Sequence, residues 1–366
     1  MLNARQRDAL FAPYAQARGL LLAVSGGPDS LALLKLASNW RAARADGPAL
    51  FAATVDHGLR AQSGAEAQAV SDLCARLGVP HAILVWDGEK PRSRVQERAR
   101  EARYGLLLDH ARACGADVVM VAHHRDDQAE TLLMRMARGS GLAGLAGMRP
   151  ASPLGGLTLA RPLLDFSKED LVAFCAAQGL QPAEDASNFD PRYARARLRR
   201  LAPALAAEGL DAQRLAELAR RAARAEDALA QAAAQAGARA LASRAQDRVV
   251  LSMRALLAEP QELALRVLEG EIAALAGAPV RLQRLEAAFA RLAAAATEGR
   301  GLRTTLAGAV LTLDHTGLLD LRREGLRRRG RANAGEKTQS VHANVEKPAR
   351  SDSVAAASLG KGAGRA

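Results

Sequence analysis

The residues best suited to chemistry near the start of the chain form one tight turn, called here the glycine turn: Ser25, Gly26, Gly27, Pro28, Asp29 and Ser30. Two adjacent glycines let the backbone approach a ligand closely, because no Cβ is in the way. A helix that follows directly offers unpaired N–H groups and a positive dipole end, which favour phosphate. Asp29 can hold a metal ion or a polarised group beside that phosphate. The turn is not a Walker A loop, because that motif needs Gly-Lys-Ser/Thr. The alternative interpretation is a serine N-cap with a glycine turn that binds no ligand.

A second segment combines an imidazole with carboxylates, because His123 is followed by Asp127 and Glu130. If a helix begins near Asp126, these three side chains have i, i+4, i+7 spacing and can face one spot. Carboxylates spaced in this way suit Mg²⁺ that is held through one or two oxygens and the phosphates of a substrate. The alternative is an acidic first turn that only complements the helix dipole.

Two groups of basic and aromatic residues could bind phosphates or RNA. They are Arg100, Arg103 and Tyr104 in one group and Arg195, Arg197 and Arg199 in the other. The first group shares one side of a predicted helix and could clamp a phosphate bidentately, or it could lie on a solvated face. The second group, with Tyr193 nearby, suits RNA phosphates and base stacking, and its alternative is a charged surface helix.

The elements that would position these residues alternate between strand and helix. The predicted strands are Leu20–Val24, Leu50–Val55, Ala82–Trp86 and Val118–Ala122, with helices near Asp29–Asn39, Ala65–Leu77, Ser93–Cys114 and 126–138. This order predicts an α/β fold with a doubly wound parallel sheet. Ser25, Asp56 and His123 each follow a strand, so we expect them at one edge of the sheet. Asp56 and His57 could then face a nucleotide, or could form an ordinary turn before Gly58.

The rest of the chain changes character several times. Leu157–Leu164 is predicted as a strand and Lys168–Gln178 as a helix capped by Ser167. We expect a nucleotide-binding domain over residues 1–205 and a small helical substrate-binding domain over 206–299. A short β element over 300–325 contains the hairpin Leu302–Leu306 and Val310–Leu313. Residues 326–366 have no apolar periodicity and are expected to be a disordered basic tail.

Composition limits the class of protein. The chain has 366 residues and a net charge of +12, and residues 321–366 hold eleven Lys/Arg against four Asp/Glu. The basic charge is therefore concentrated near the C-terminus and is compatible with RNA binding without establishing it. Cys74, Cys114 and Cys175 form neither a disulfide framework nor a Cys-x-x-Cys pair. Without a signal peptide or an apolar run of membrane length, we expect a cytoplasmic protein with no membrane partner.

Seven segments in this order resemble the tRNA(Ile)-lysidine synthetase family of the PP-loop, or N-type ATP pyrophosphatase, superfamily. They are SGGPDS at 25–30, DHGLR at 56–60, QERAREARY at 96–104, AHHRDDQAET at 122–131, RGSGLAGLAGM at 138–148, RPLL at 161–164 and DASNFDPRYARARLR at 185–199. The first motif is shared by several pyrophosphatase families, whereas its combination with the fourth and fifth is far more specific. Ala196 departs from the family, which often has Asn there.

The resemblance implies an adenine nucleotide α-hydrolase-like fold and a ligase that forms a C–N bond. ATP would adenylate C2 of the wobble cytidine of tRNA(Ile) with a CAU anticodon, and free L-lysine would displace AMP to give lysidine. ATP would bind the glycine turn with Asp56 and His57, and Mg²⁺ would lie near Asp29 and Asp127. Asp127 or Glu130 could instead pair with the charged groups of lysine. The two basic groups would contact tRNA, and a homodimer is one assembly compatible with the sequence.

Two other functions compete with this one. A tRNA thiolase of the same superfamily is the alternative enzyme, although such enzymes commonly need paired cysteines or a cluster. A non-catalytic, nucleotide-sensing RNA-binding protein is the alternative from another class. That protein would need neither the acidic helix nor Asp29 of the glycine turn.

Overall fold

The structure is a computed structural model that describes residues 4–56, 63–86, 95–183 and 194–325. The helices are α1 Ala4–Phe11, α2 Pro28–Ala42, α3 Ser63–Arg76, α4 Val95–Ala113, α5 Arg125–Met136, α6 Leu142–Leu145, α7 Lys168–Ala177, α8 Ala194–Ala207, α9 Ala212–Ala240, α10 Met253–Leu257, α11 Gln261–Ala276 and α12 Leu282–Thr297. The strands are β1 Gly19–Ala23, β2 Ala49–Asp56, β3 His81–Val85, β4 Val118–Met120, β5 Ala151–Leu154, β6 Leu157–Ala160, β7 Leu241–Ala245, β8 Arg248–Ser252, β9 Leu302–Leu306, β10 Ala309–Leu313 and β11 Leu318–Arg323.

The first sheet has six strands in the order β3-β2-β1-β4-β6-β5. Every neighbouring pair is parallel except β5 and β6, which form an antiparallel hairpin. Leu20 and Leu22 of the central strand β1 pack into the core on one face, and Leu21 packs into the core on the other. Both faces are therefore covered, as the period of two along a strand requires. The predicted doubly wound α/β fold is confirmed.

The strand order determines where the functional segments meet. Strand β1 lies between β2 and β4, so the chain leaves the central strand next to the carboxyl end of β4. Crevices at such switch points bind ligands in open α/β sheets. The glycine turn follows β1, and the segment that contains His123 follows β4, so the sheet brings these two segments side by side.

The sequence-based boundaries of the last predicted strand in this sheet were wrong. The strand ends at Ala160 and not at Leu164, and a preceding strand, β5, pairs with it in an antiparallel hairpin. Pro162 has no N–H to continue a strand ladder. Gly155 and Gly156 make the hairpin turn with φ angles of +54° and +88°, which favour glycine.

The second part of the chain is not wholly helical, which corrects the prediction for residues 206–299. A hairpin of β7 and β8 interrupts the helices, and β8 pairs with β11 in a five-stranded antiparallel sheet of order β7-β8-β11-β10-β9. Val249 and Val250 are the β-favouring signal that the surrounding alanine-rich helical pattern concealed. The predicted hairpin after residue 300 is present as β9 and β10, with β11 as an additional strand.

Strands from both sides of residue 299 share one hydrophobic core. Leu251 of β8, Leu268 of α11 and Leu321 of β11 are fully buried in it. Met1–Glu324 form one compact unit, so residue 299 is not a break between independent cores. His57 and residues 326–366, the expected tail, lie outside the described residues. No helix within the described ranges is both long and apolar enough to cross a bilayer.

Candidate functional site

The glycine turn is closed by its own hydroxyl groups. Ser30 Oγ accepts a hydrogen bond from the Ser25 backbone N–H at 3.1 Å and donates to the Gly27 carbonyl at 2.9 Å. Gly26 has φ of +86°, a conformation that side chains disfavour. Helix α2 begins immediately, with Gly27 as its N-cap and Pro28 in the first turn. The positive end of α2 therefore lies at the turn, as binding of an anion requires.

Asp29, in the first turn of α2, forms a close ion pair that the sequence pattern did not indicate. Lys168 Nζ lies 2.9 and 2.7 Å from its two carboxylate oxygens. His124 Nε2 lies 3.7 Å from the same carboxylate. Asp29 is thus held between two groups from other segments of the chain, one after β4 and one at the start of α7.

His124 is the N-cap of α5 and lies among three carboxylates. Its backbone N–H donates to Asp127 Oδ2 at 3.2 Å, and its imidazole lies 3.3 Å from Asp126 and 3.5 Å from Asp127. Burial lowers the pKa of His124, but contact with Asp126 and the charges of Asp127 and Asp29 outweigh it, so the pKa is raised. The contact with the His124 imidazole is the main cause that lowers the pKa of Asp126 to about 2.

One turn further along α5, Glu130 is paired with arginines of α8. Arg199 Nε donates to Glu130 Oε1 at 2.6 Å, whereas Arg195 Nε lies 3.8 Å from Oε2. That second oxygen is buried and accepts no hydrogen bond from the described residues. Burial raises the pKa of Glu130, against the opposing hydrogen bond from Arg199. An unsatisfied buried acceptor is costly, so Glu130 is well suited to accept a hydrogen bond from a ligand donor.

Three arginines, of which Arg161 is buried, lie close enough to act on the charge of His123, whose Nδ1 is buried and has no hydrogen-bond partner among the described residues. Burial, with the charges of Arg161, Arg100 and Arg103, lowers the pKa of His123 to about 3 against the opposing charge of Asp127. The imidazole is therefore neutral at physiological pH. In that form it can donate or accept a hydrogen bond, but it is poorly suited to act as a general acid.

Tyr104 of α4 contacts two arginine side chains. The Arg100 and Arg103 guanidinium carbons are 5.0 and 5.3 Å from its ring centroid, within the range of cation–π attraction. The Tyr104 hydroxyl and Arg103 Nε are buried and without hydrogen-bond partners in the part of the chain described. These polar atoms and the neutral His123 provide several unused donors near the carboxyl end of β4.

Helix α5 is fixed from two directions. The Gln128 side-chain amide forms hydrogen bonds of 2.8 and 2.7 Å with the backbone of Met148, which pins the glycine-rich segment 139–147 against the helix. On another side, Ala129 and Leu132 pack against Leu215 and Ala219 of α9. The carboxylates of α5 are therefore held by packing on rigid elements, as a binding site requires.

Two carboxylates suit a magnesium ion that also binds a substrate. Within the described residues, no group of three or more His, Cys, Asp and Glu forms a metal cluster. Asp29 and Asp127 nevertheless both reach His124 Nε2, at 3.7 and 3.5 Å, and therefore face the same space. Mg²⁺ is usually held by one or two protein carboxylates together with phosphates and water. The donor set fits such an ion.

Comparison with known proteins agrees with this arrangement. The family model described as a PP-loop domain matches residues 2–205. The tRNA(Ile)-lysidine synthase of Methylobacterium sp. strain 4-46 is 54% identical over 304 residues, which are 81% of this chain and 87% of that protein. The chain belongs to the tRNA(Ile)-lysidine synthase family. The family member of Methylobacterium nodulans is 52% identical over 89% of this chain and 96% of its own length.

A solved structure supports the fold of this lysidine synthase family member. The U34-tRNA thiolase NcsA from Methanococcus maripaludis, described with its [4Fe-4S] cluster, matches with a TM-score of 0.50 over 60% of this chain and 77% of that one. The identity is 14%, so the likeness extends to the fold alone.

Most of the residues expected from the family motifs lie close together in space. Glu130 contacts Arg195 and Arg199, and Asp29 and Asp127 share His124. Arg197 and Arg199 are exposed, Arg195 is half-buried, and Ala196 between them on α8 is buried. Asp56 ends β2, the strand next to the glycine turn.

Three residues near the site were not predicted to belong to it. They are His124, Arg161 and Lys168. His124 adjoins the predicted His123, and its position as a helix N-cap was the available signal. Arg161 lies in the RPLL motif, and its side chain is fixed by hydrogen bonds of 2.8 and 3.1 Å to the Arg149 carbonyl and Ser152. The sequence did not indicate a role for Lys168, because it lies 139 positions away from Asp29, the residue that it contacts.

Proposed function

We propose that this lysidine synthase family member joins free L-lysine to C2 of the wobble cytidine in tRNA(Ile) with a CAU anticodon. ATP is consumed and AMP and pyrophosphate are released, so the enzyme is a ligase that forms a C–N bond. The observation that carries the proposal is the 54% identity with a tRNA(Ile)-lysidine synthase over 87% of that protein's length. The clustered carboxylates and cations of the site support it.

In the first step, the cytidine oxygen at C2 attacks the α-phosphorus of ATP and the α–β bridge breaks. The amides and hydroxyls of the glycine turn bind the phosphates, with Asp56 and His57 near the nucleotide. Mg²⁺ held by Asp29 and Asp127 would offset the negative charge of the leaving pyrophosphate. Much of the rate gain comes from holding the two reactants in line.

In the second step, the lysine amine attacks C2 and AMP leaves with the oxygen that it received. Glu130 Oε2 is the acceptor best suited to the amine, because it is buried and accepts no hydrogen bond from the described residues. Asp127 is the second candidate for this contact. The neutral His123 orients the cytidine by a hydrogen bond, and the amine must lose its proton before it attacks.

The basic groups supply the contacts to tRNA. Arg100 and Arg103 on α4 contact the Tyr104 ring and act on the charge of His123, and Arg195, Arg197 and Arg199 lie along α8, next to the acidic helix α5. Guanidinium groups bind phosphates bidentately, and an aromatic ring can stack on a base. We assign ATP chemistry and these basic contacts to residues 1–205 and further tRNA binding to residues 206–299, in the cytoplasm and with a homodimer as one arrangement.

The test is direct. The full chain is incubated with bulk tRNA, ATP, Mg²⁺ and labelled lysine, and the digested tRNA is examined for lysidine. D29N and D127N should abolish tRNA-dependent AMP formation and keep the fold. The control D109N changes a carboxylate whose side chain is 78% exposed and should retain activity. Sulfur incorporation from a sulfur donor, without lysine incorporation, would favour the thiolase alternative and overturn the proposal.

A further inference from the structure

Lys168 is a cation at the glycine turn that the chemistry above leaves without a role. We propose that it binds the β- and γ-phosphates of ATP, which leave as pyrophosphate, and that Asp29 holds its ammonium group in place before the nucleotide enters. The inference rests on the proposed function, because it concerns the same nucleotide. It adds a binding residue from outside the turn.

The geometry of the pair fits an exchange of partners. Lys168 Nζ bonds both oxygens of Asp29, at 2.9 and 2.7 Å, so two of its three donors are engaged. Its side chain is 43% exposed, against 23% for Asp29. An ion pair open to solvent on one side contributes little stability, so little is lost when the ammonium turns toward a phosphate.

The backbone of Lys168 is fixed to the site by neighbouring elements. Its N–H donates to Asp126 Oδ2 at 2.9 Å, and the Arg125 N–H donates to the Phe166 carbonyl at 2.8 Å. Ser167 caps α7 and exchanges hydrogen bonds with Asp170. The start of α7 is therefore attached to the start of α5, and only the flexible side chain of Lys168 needs to move.

The charge of the ligand requires such a residue. ATP carries about four negative charges near neutral pH, and its β- and γ-phosphates are the most highly charged part. The glycine turn itself contains no lysine or arginine, so the turn supplies no cation of its own beside the Mg²⁺ proposed above. Transfer of Lys168 to the phosphates would also release Asp29 to bind Mg²⁺. The ammonium would repel the amine of lysine, which makes an anion the expected ligand.

The experiment compares ATP with AMP, because AMP lacks the two phosphates. Binding of each to the full chain in the presence of Mg²⁺ is measured by calorimetry for K168M, for K168R and for K35M. The control Lys35 lies further along the same helix as Asp29 and has no contact with it among the described residues. K168M should weaken ATP binding about 10- to 100-fold and leave AMP binding unchanged. K168R should retain most of the ATP affinity, and K35M all of it.

Other outcomes overturn the inference. Equal weakening of ATP and AMP, with a lower melting temperature, would mean that Lys168 only positions Asp29. Unchanged ATP binding with a higher KM for lysine would mean that it binds the substrate carboxylate.

The inference and the proposed function can fail separately. Failure of the wild-type chain to incorporate lysine, with the selective loss of ATP binding in K168M, would refute the proposed function and leave this inference supported.

Discussion

The ion pair between Glu130 and Arg199 provides a quantitative test of how the site is built. The Glu130 side chain is 8% exposed and Arg199 is 40% exposed, and their atoms lie 2.6 Å apart. A hydrogen bond to a charged group contributes about 1.5–3 kcal/mol, and the partly exposed arginine places this pair near the lower end. Arg199→Ala should therefore lower the free energy of unfolding by about 1.5–2 kcal/mol at pH 7.

The loss should depend on pH in a predictable direction. Burial raises the pKa of Glu130 and Arg199 opposes that rise, so removal of Arg199 raises the pKa further. Between the unfolded pKa, about 4.3, and the folded one, the folded state binds more protons. The stability of R199A should therefore fall more steeply than that of the wild type as the pH rises through this window. The difference in unfolding free energy between the wild type and R199A should therefore be smaller near pH 4.5 than at pH 7.

The assay is urea denaturation of the wild type, R199A, E130Q and the double variant at both pH values. The double-mutant cycle should give a coupling energy of about 1.5 kcal/mol at pH 7. R200A removes an exposed arginine from the same helix and should stay within about 0.5 kcal/mol of the wild type. A coupling energy near zero, or a deficit in R199A that is equal at pH 4.5 and pH 7, would refute the account of Glu130 as a buried and paired carboxylate.

Three further predictions concern the support of the site and its charge. Gly147→Ala should destabilise the fold by about 1–3 kcal/mol in denaturation, because φ is +65° and an added Cβ would lie 2.7 Å from a side-chain oxygen of α5. Gly105→Ala, in open space on α4, should not destabilise it. Asp126→Asn should lower the pKa of His124 in an NMR titration, and an unchanged value would contradict the contact between them. Deletion of residues 326–366, with nine Lys/Arg and three Asp/Glu, should weaken tRNA binding mainly at low salt and preserve turnover at saturating tRNA.

Local patterns in the sequence were sufficient to predict strands β1 to β4 of the first sheet, although not the hairpin of β5 and β6. The apolar runs of β1 and β4, each followed by a polar turn, specify buried parallel strands and their functional ends. The hairpin of β7 and β8 was missed because its short β-favouring run lies between long alanine-rich helices. Pairing of β8 with β11 is a tertiary contact, and the periodicity of neither segment reveals it.

The site was predictable to the extent that its residues are adjacent in sequence. Asp127 and Glu130 lie on one helix, so their spacing shows that they share a face. Arg199, the partner of Glu130, and Lys168, the partner of Asp29, come from helices that only the folded chain brings near. Their positions as basic residues were visible in the sequence, but the carboxylate that each would meet was not.

Helix α9 connects the two halves of the molecule as one continuous helix. Its first half packs on α5 through Leu215 and Ala219, and its second half enters the core of the antiparallel sheet through Ala236 and Ala240. A helix of 29 residues is about 43 Å long, and no proline interrupts it. Unfolding of either core would remove the packing partners of one end of this helix. Heating should therefore give a single calorimetric transition, in which the acidic helix and the distant sheet are lost together.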